Sequence, residues 1–191
     1  MEELTLQDLL AQIQHADDKV RAQTWSAAGP IGAAAVAPLA KIVAEGELEI
    51  SRAAKRAIWS IVRHVGRPDK QAEMKQPVVD ALVGLLGDDQ KAAVRREALW
   101  MISELGDGAA EVTPVAALLA NAELREDARC CLERLPGEKV TAALQAGLKA
   151  AADDYKPAIA HSLRVRGVDV PDVPCMKLVP TKTTTVKPVG P

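Results

Sequence analysis

A spaced set of apolar residues, closed by a glycine, recurs along this chain and restricts its fold more than any other feature. In VRREALWMISELG (94–106) the set is Val94, Ala98, Met101, Ile102 and Leu105, closed by Gly106. These offsets form one stripe of an amphipathic helix. The same offsets before Gly66 select Ala54, Ile58, Ile61, Val62 and Val65. Before Gly32 they select Val20, Thr24, Ala27, Ala28 and Ile31. With Pro136 in the glycine place they select Leu124, Ala128, Cys131, Leu132 and Leu135. Before Gly167 they select Tyr155, Ile159, Ser162, Leu163 and Arg166, the least apolar copy. A period of about thirty to forty residues is the spacing of repeat proteins built from helix pairs.

A second helix is expected after each of the first four stripes, at AVAPLAKIVA (35–44), QPVVDALVGLL (76–86), VTPVAALLA (112–120) and KVTAALQAGLKA (139–150). Pro38, Pro77 and Pro114 fall where a first turn should lie, and proline costs little there because its missing N–H would be unpaired anyway. TLQDLLAQIQ (5–14) reads as a lone helix capping one end. The residue after each first stripe position is basic: Arg21, Lys55, Arg95, Arg125 and Lys156. A cation in a first helical turn opposes the macrodipole. Acids precede each one, namely Asp17–Asp18, Glu49, Asp88–Asp89, Glu123 and Asp153–Asp154. A ladder of ion pairs and caps along the turns is therefore expected.

Apolar residues make up 48% of the chain but aromatics only 2%, so the core must be built from Ala, Leu and Val, which suits closely packed helices. A net charge of −2 provides no global field toward nucleic acid or an anionic membrane. No run approaches the length of a membrane span. MEELTLQDLL lacks the basic and apolar regions of a signal peptide. Cys130, Cys131 and Cys175 are an odd set with two adjacent members, which argues against a disulfide framework and for a reducing compartment. A soluble, cytoplasmic protein is expected.

The pattern resembles HEAT repeats, especially the short HEAT-like repeats first associated with phycobilin lyases. Their first-helix signature is matched by DDKVRAQTWSAAGPIG and DDQKAAVRREALWMISELG. The resemblance implies an all-α chain forming a right-handed α-α superhelix of about five helix pairs with an N-terminal capping helix. The solenoid would fill residues 1–167, with repeats near 17–45, 49–87, 88–121, 122–150 and 153–167. Residues 168–191, rich in Pro, Thr and Lys, would form an extended or disordered tail.

Such repeats serve many ends. The similar deoxyhypusine hydroxylases hold iron through His-Glu pairs, whereas His15, His64 and His161 are followed by Ala16, Val65 and Ser162. These histidines read as surface residues on helices. The HEAT-like alkylpurine DNA glycosylases place Trp and a carboxylate on a basic face. Here Trp25 and Trp59 share one repeat position and read as packing between repeats, and near-neutral charge argues against DNA. No residue constellation marks a lyase site. Cys131 falls on a core column, so the adjacent thiols read as structural. The expected function is non-catalytic, with no cofactor and no metal. The expected partner is an unidentified protein or peptide, bound on the second-helix surface. That surface is nearly free of charge at 76–86 and 112–122, where Asp80, Ala81, Gly84, Thr113, Ala116, Ala117 and Ala120 are the candidate contacts, with Trp100 nearby. A phycobilin-lyase-like or glycosylase-like enzyme is the alternative.

Overall fold

The computed structural model describes residues 4–68 and 72–175, and among them no strand occurs. The α-helices in chain order are α1 (Leu6–Gln12), α2 (Asp18–Ala27), α3 (Val36–Glu45), α4 (Leu48–Val65) and α5 (Ala72–Gly84). They continue as α6 (Ala92–Leu105), α7 (Val112–Ala117), α8 (Arg125–Arg134), α9 (Glu138–Ala150) and α10 (Lys156–Val165). Tighter 3-10 segments occupy Gly29–Ala35 and Leu118–Ala120. The chain is all-α, as its periodicity predicts.

Helices pack on near neighbours in sequence. α2 lies against α4, α4 against α6, α6 against α8, and α8 against α10. α3 packs on α5, and α7 on α9, each pair also touching that row. The apolar columns become the core: the stripes anchored at Gly66, Gly106 and Pro136 are buried throughout.

The outer copies depart from the pattern for identifiable reasons. Before Gly32, Thr24 and Ala28 are buried but Ala27 is exposed. α2 stops at Ala27, and the stretch Gly29–Ala35, with Gly32 at φ 70°, winds as a kinked 3-10 segment. The last turn of that stripe therefore never joins the helix. In the last copy Tyr155, Ile159, Ser162 and Leu163 are buried, but Arg166 fills no apolar slot. Its guanidinium donates to the carbonyls of Glu133 (3.2 Å), Leu135 (2.5 Å) and Gly137 (2.8 Å). It thereby closes the C-terminal end of α8, where carbonyls lack helical partners and the dipole is negative.

Thr5 and Asp8 form a capping box on α1, and the Asp17 side chain accepts the Lys19 N–H at the start of α2 (2.9 Å). Pro38 and Pro114 lie in first turns. Pro77 does not: α5 already runs from Ala72, so the ring sits inside the helix and removes one of its hydrogen bonds. At the anchor Gly106 a Cβ would lie 2.2 Å from Glu111 Oε1 and 2.5 Å from Leu135 Cδ2. Close approach of the following repeat requires glycine there.

The basic column is tied off, though not always by the acids before it. Arg95 meets Asp88 (2.9 Å) and Lys156 meets Asp153 (2.6 Å) as the spacing predicts. Arg125 instead reaches forward to Asp154 (3.2 Å), and Lys55 to Glu97 on α6 rather than to Glu49 (2.8 Å). Arg21 donates to the carbonyls of His15 (2.6 Å) and Ala16 (2.7 Å). Forward reach of a long side chain links neighbouring first helices. Each exposed pair contributes at most about 1 kcal/mol.

After α10 the backbone returns. The Arg164 guanidinium donates to the carbonyls of Val170 (2.7 Å) and Val173, and Val170 is buried. The remainder of the expected tail, 176–191, lies outside the described residues.

Candidate functional site

Thr113, Ala116, Ala117 and Ala120 share one face of α7 and the 3-10 turn that extends it, because they recur at three- and four-residue intervals. The opposite face is committed to the core through Val112, Val115 and Leu118. α9 repeats the design: Val140 and Leu144 are buried, while Ala143, Ala146, Gly147 and Ala150 face α7. The small side chains of the two elements leave a trough between them. One hollow of about 340 Å³ is lined by Ala116, Ala117, Ala120, Ala143 and Gly147 among others. A second, of about 500 Å³, continues it past Thr113 and Lys139, and the two share Ala116 and Ala143. Leu119 lies along the trough against α9, where a Cβ on Gly147 would meet its Cδ1 at 2.6 Å.

Lys139 is the only charged lining residue, at one end, and Thr113 supplies the only side-chain hydroxyl. Such a surface has almost nothing with which to activate a nucleophile or polarise a carbonyl. It can remove apolar area from water, which contributes about 25 cal/mol per Å² buried.

The other candidate residues lie elsewhere. Asp80, Ala81 and Gly84 are on α5; Asp80 is exposed and accepts a hydrogen bond from Gln76 Nε2 (2.8 Å). Trp100 is 42% exposed on α6, within the row of first helices. None of these four lines the trough. The sequence reading passed over the α9 wall. Its signal was present in Ala143, Ala146, Gly147 and Ala150, which follow the same small-residue spacing as α7.

Polar side chains cluster between α8 and α10. Arg129, 9% exposed, bonds Glu126, Glu133 (2.8 Å) and Ser162 Oγ (2.6 Å). The hydrogen bond from Arg129 holds the Glu126 carboxyl below the usual carboxylate range. The Tyr155 hydroxyl lies 2.7 Å from the Arg125 carbonyl and 3.1 Å from Glu126, and burial pushes its pKa well above the usual tyrosine value. Every partner here is internal, so the cluster fastens the last copy of the repeat to the one before it.

The histidines divide. His15 and His161 are exposed, but His15 lies in the link between α1 and α2 rather than on a helix, and His64 is half-buried against Gly29. Trp25 and Trp59 are half-buried beneath Arg56 (5.9 Å) and Arg63 (5.7 Å), and Trp59 Nε1 donates to Glu97 (3.3 Å). Among the described residues no group of three His, Cys, Asp or Glu side chains could hold a metal ion. No single helix there is long and apolar enough to cross a membrane. Glu111 is fully buried: Oε1 accepts the Gly108 N–H (2.8 Å), and Oε2 has no partner among the described residues.

The thiols are free and differ sharply. Burial pushes Cys131 up to about 12. Burial also raises Cys130, against the pull of the adjacent Arg129. Iodoacetamide at pH 8 is expected to modify exposed Cys175 first and to reach Cys131 only through unfolding. Peptide mapping by mass spectrometry checks this. Native-state modification of Cys131 at the Cys175 rate would show that α8 is not packed as described.

The sequence matches no protein-family model and no curated protein.

Proposed function

We propose that this chain is a HEAT-like, right-handed α-solenoid that serves as a non-catalytic binding scaffold in the cytoplasm, and that the α7–α9 trough is its partner-binding surface. The supporting observation is the continuity of that trough, which is apolar along its length, floored by small side chains and charged at one end only. Helix packing confined to sequence neighbours and a repeating buried stripe support the solenoid. The trough suits an apolar face of a partner helix or an extended peptide, with Lys139 at its end available to an acidic group.

The test selects peptides from a displayed random library on the full chain. Selected peptides should lose at least about tenfold in affinity, about 1.4 kcal/mol, on Ala117→Glu. Ala117 is exposed, so circular dichroism and the thermal midpoint should be unchanged. Affinity should vary little between low and high salt, because apolar burial is not screened. Unchanged affinity in a folded Ala117→Glu variant would remove the trough from the binding surface.

A further inference from the structure

Arg56, Arg63 and Arg67 are exposed and spaced seven and four apart, so they form a single stripe along α4 and the turn that follows it. They differ from the rest of their kind. Every other arginine hydrogen-bonds or ion-pairs with a carboxylate or a main-chain carbonyl. Among the described residues no carboxylate lies within 4.0 Å of these three. Arg56 and Arg63 rest instead on the indoles of Trp25 and Trp59, at 5.9 and 5.7 Å. A guanidinium stacked on a ring is held in place and keeps its N–H edge for an oxyanion.

Between Arg63 and Arg67 opens a cleft of about 220 Å³, lined also by His64, Ser26, Ser60 and Trp25, with no acid in its lining. The net charge of −2 means that this basic stripe is local and does not reflect a basic protein. Dipole compensation explains Arg63 and His64, which sit in the last turn of α4. It does not explain Arg56, two turns earlier, or Arg67, beyond the helix end.

We propose that this face of α4 is a second docking site, for an acidic peptide segment of a partner protein whose oxyanions pair with Arg56, Arg63 and Arg67. At about 1.5 Å of rise per helical residue Arg56 and Arg63 are separated by about 10 Å along the axis, and Arg67 follows beyond the helix end. An extended peptide advances about 3.3 Å per residue and its side chains alternate between two faces, so acids spaced acid-x-acid-x-acid present three oxyanions to the row from one face. The middle oxyanion, a carboxylate or a phosphomonoester, meets Arg63 at the mouth of the cleft. A row of three arginines suits one short segment. Tight nucleic-acid binding draws on about six to ten phosphate contacts, more than this row provides.

Fluorescence anisotropy on the full chain tests the assignment with labelled EAEAEA, the same peptide with phosphoserine at its third position, EEEAAA, and a twenty-nucleotide single strand of DNA. Both spaced peptides should bind, at least threefold tighter than EEEAAA and more weakly as salt rises. A tenfold preference for the phosphopeptide identifies a phosphate as the middle group, and comparable affinities identify a carboxylate. Arg63→Gln and Arg67→Gln should each weaken binding at least fivefold. Arg67 is stacked on neither tryptophan, so its variant keeps the test valid should Arg63→Gln disturb packing. Arg52→Gln, which removes an arginine already paired with Glu49, should leave affinity unchanged. Three results would overturn the proposal: neither spaced peptide binding at millimolar concentration, equal losses in the Arg52 and Arg67 variants, or DNA binding more tightly than both spaced peptides.

Discussion

Gly108→Ala is expected to destabilise the fold by about 4 kcal/mol, as an imposed steric clash and a strained backbone act together. For a chain of this size that is a fall of about 8–16 °C in Tm. Gly108 sits at φ 78°, in the left-handed region that disfavours side chains. A Cβ there would lie 1.9 Å from the Pro136 carbonyl oxygen and 3.0 Å from its carbon. Both are backbone atoms of the turn between α8 and α9, and they cannot swing aside as a side-chain tip could. Moving that turn would also pull Gly108 N–H from Glu111, whose carboxylate is fully buried and has no other partner among the described residues. Gly137→Ala supplies the comparison. Gly137 has φ 96° and ψ 159° but open space around a Cβ, so only the backbone strain of about 1–3 kcal/mol applies. Equal losses in the two variants would show that close approach of the two turns is not what fixes glycine at 108.

The repeat was legible because burial repeats. An apolar residue every third or fourth position has one physical use in a helix, and the stripes before Gly66, Gly106 and Pro136 are buried at every position. Reading failed where a residue's partner lies in another repeat. Nothing local distinguishes Arg166 from a misplaced apolar residue, yet it caps α8, thirty residues earlier. Lys55 passes over Glu49 because Glu97 on α6 lies nearer the end of its side chain.

The trough was half legible. Absence of charge at 112–122 marked α7, since a surface helix without charge is either covered or waiting to be. The α9 wall carries Lys139 and Lys149 and so lacks the absence of charge that marks 112–122. Which helices face one another is decided by packing and not by local pattern. Asp80, Ala81 and Gly84 lie on α5 and Trp100 on α6, outside the lining of the two hollows. The α4 stripe was invisible for a related cause: its arginines stand out only when the others are seen to be paired.

Ile102→Ala is expected to cost about 2–4 kcal/mol in urea unfolding, the price of removing a fully buried side chain and leaving part of its volume empty. Its repeat column, four before each anchor, reads Ala28, Val62, Ile102, Leu132 and Leu163. Side chains in that column are small at the N-terminal end and large from the middle onward. Ile102 belongs to α6, which packs against α4, α5 and α8 at once, so the neighbours that would have to collapse into the vacancy are themselves held on several sides. Leu132→Ala, at the equivalent and equally buried position of α8, should fall in the same range. Val62→Ala removes less volume and should cost less. A loss below about 1 kcal/mol at Ile102 would mean that α6 shifts freely to fill the gap, which a helix packed on several others does not permit.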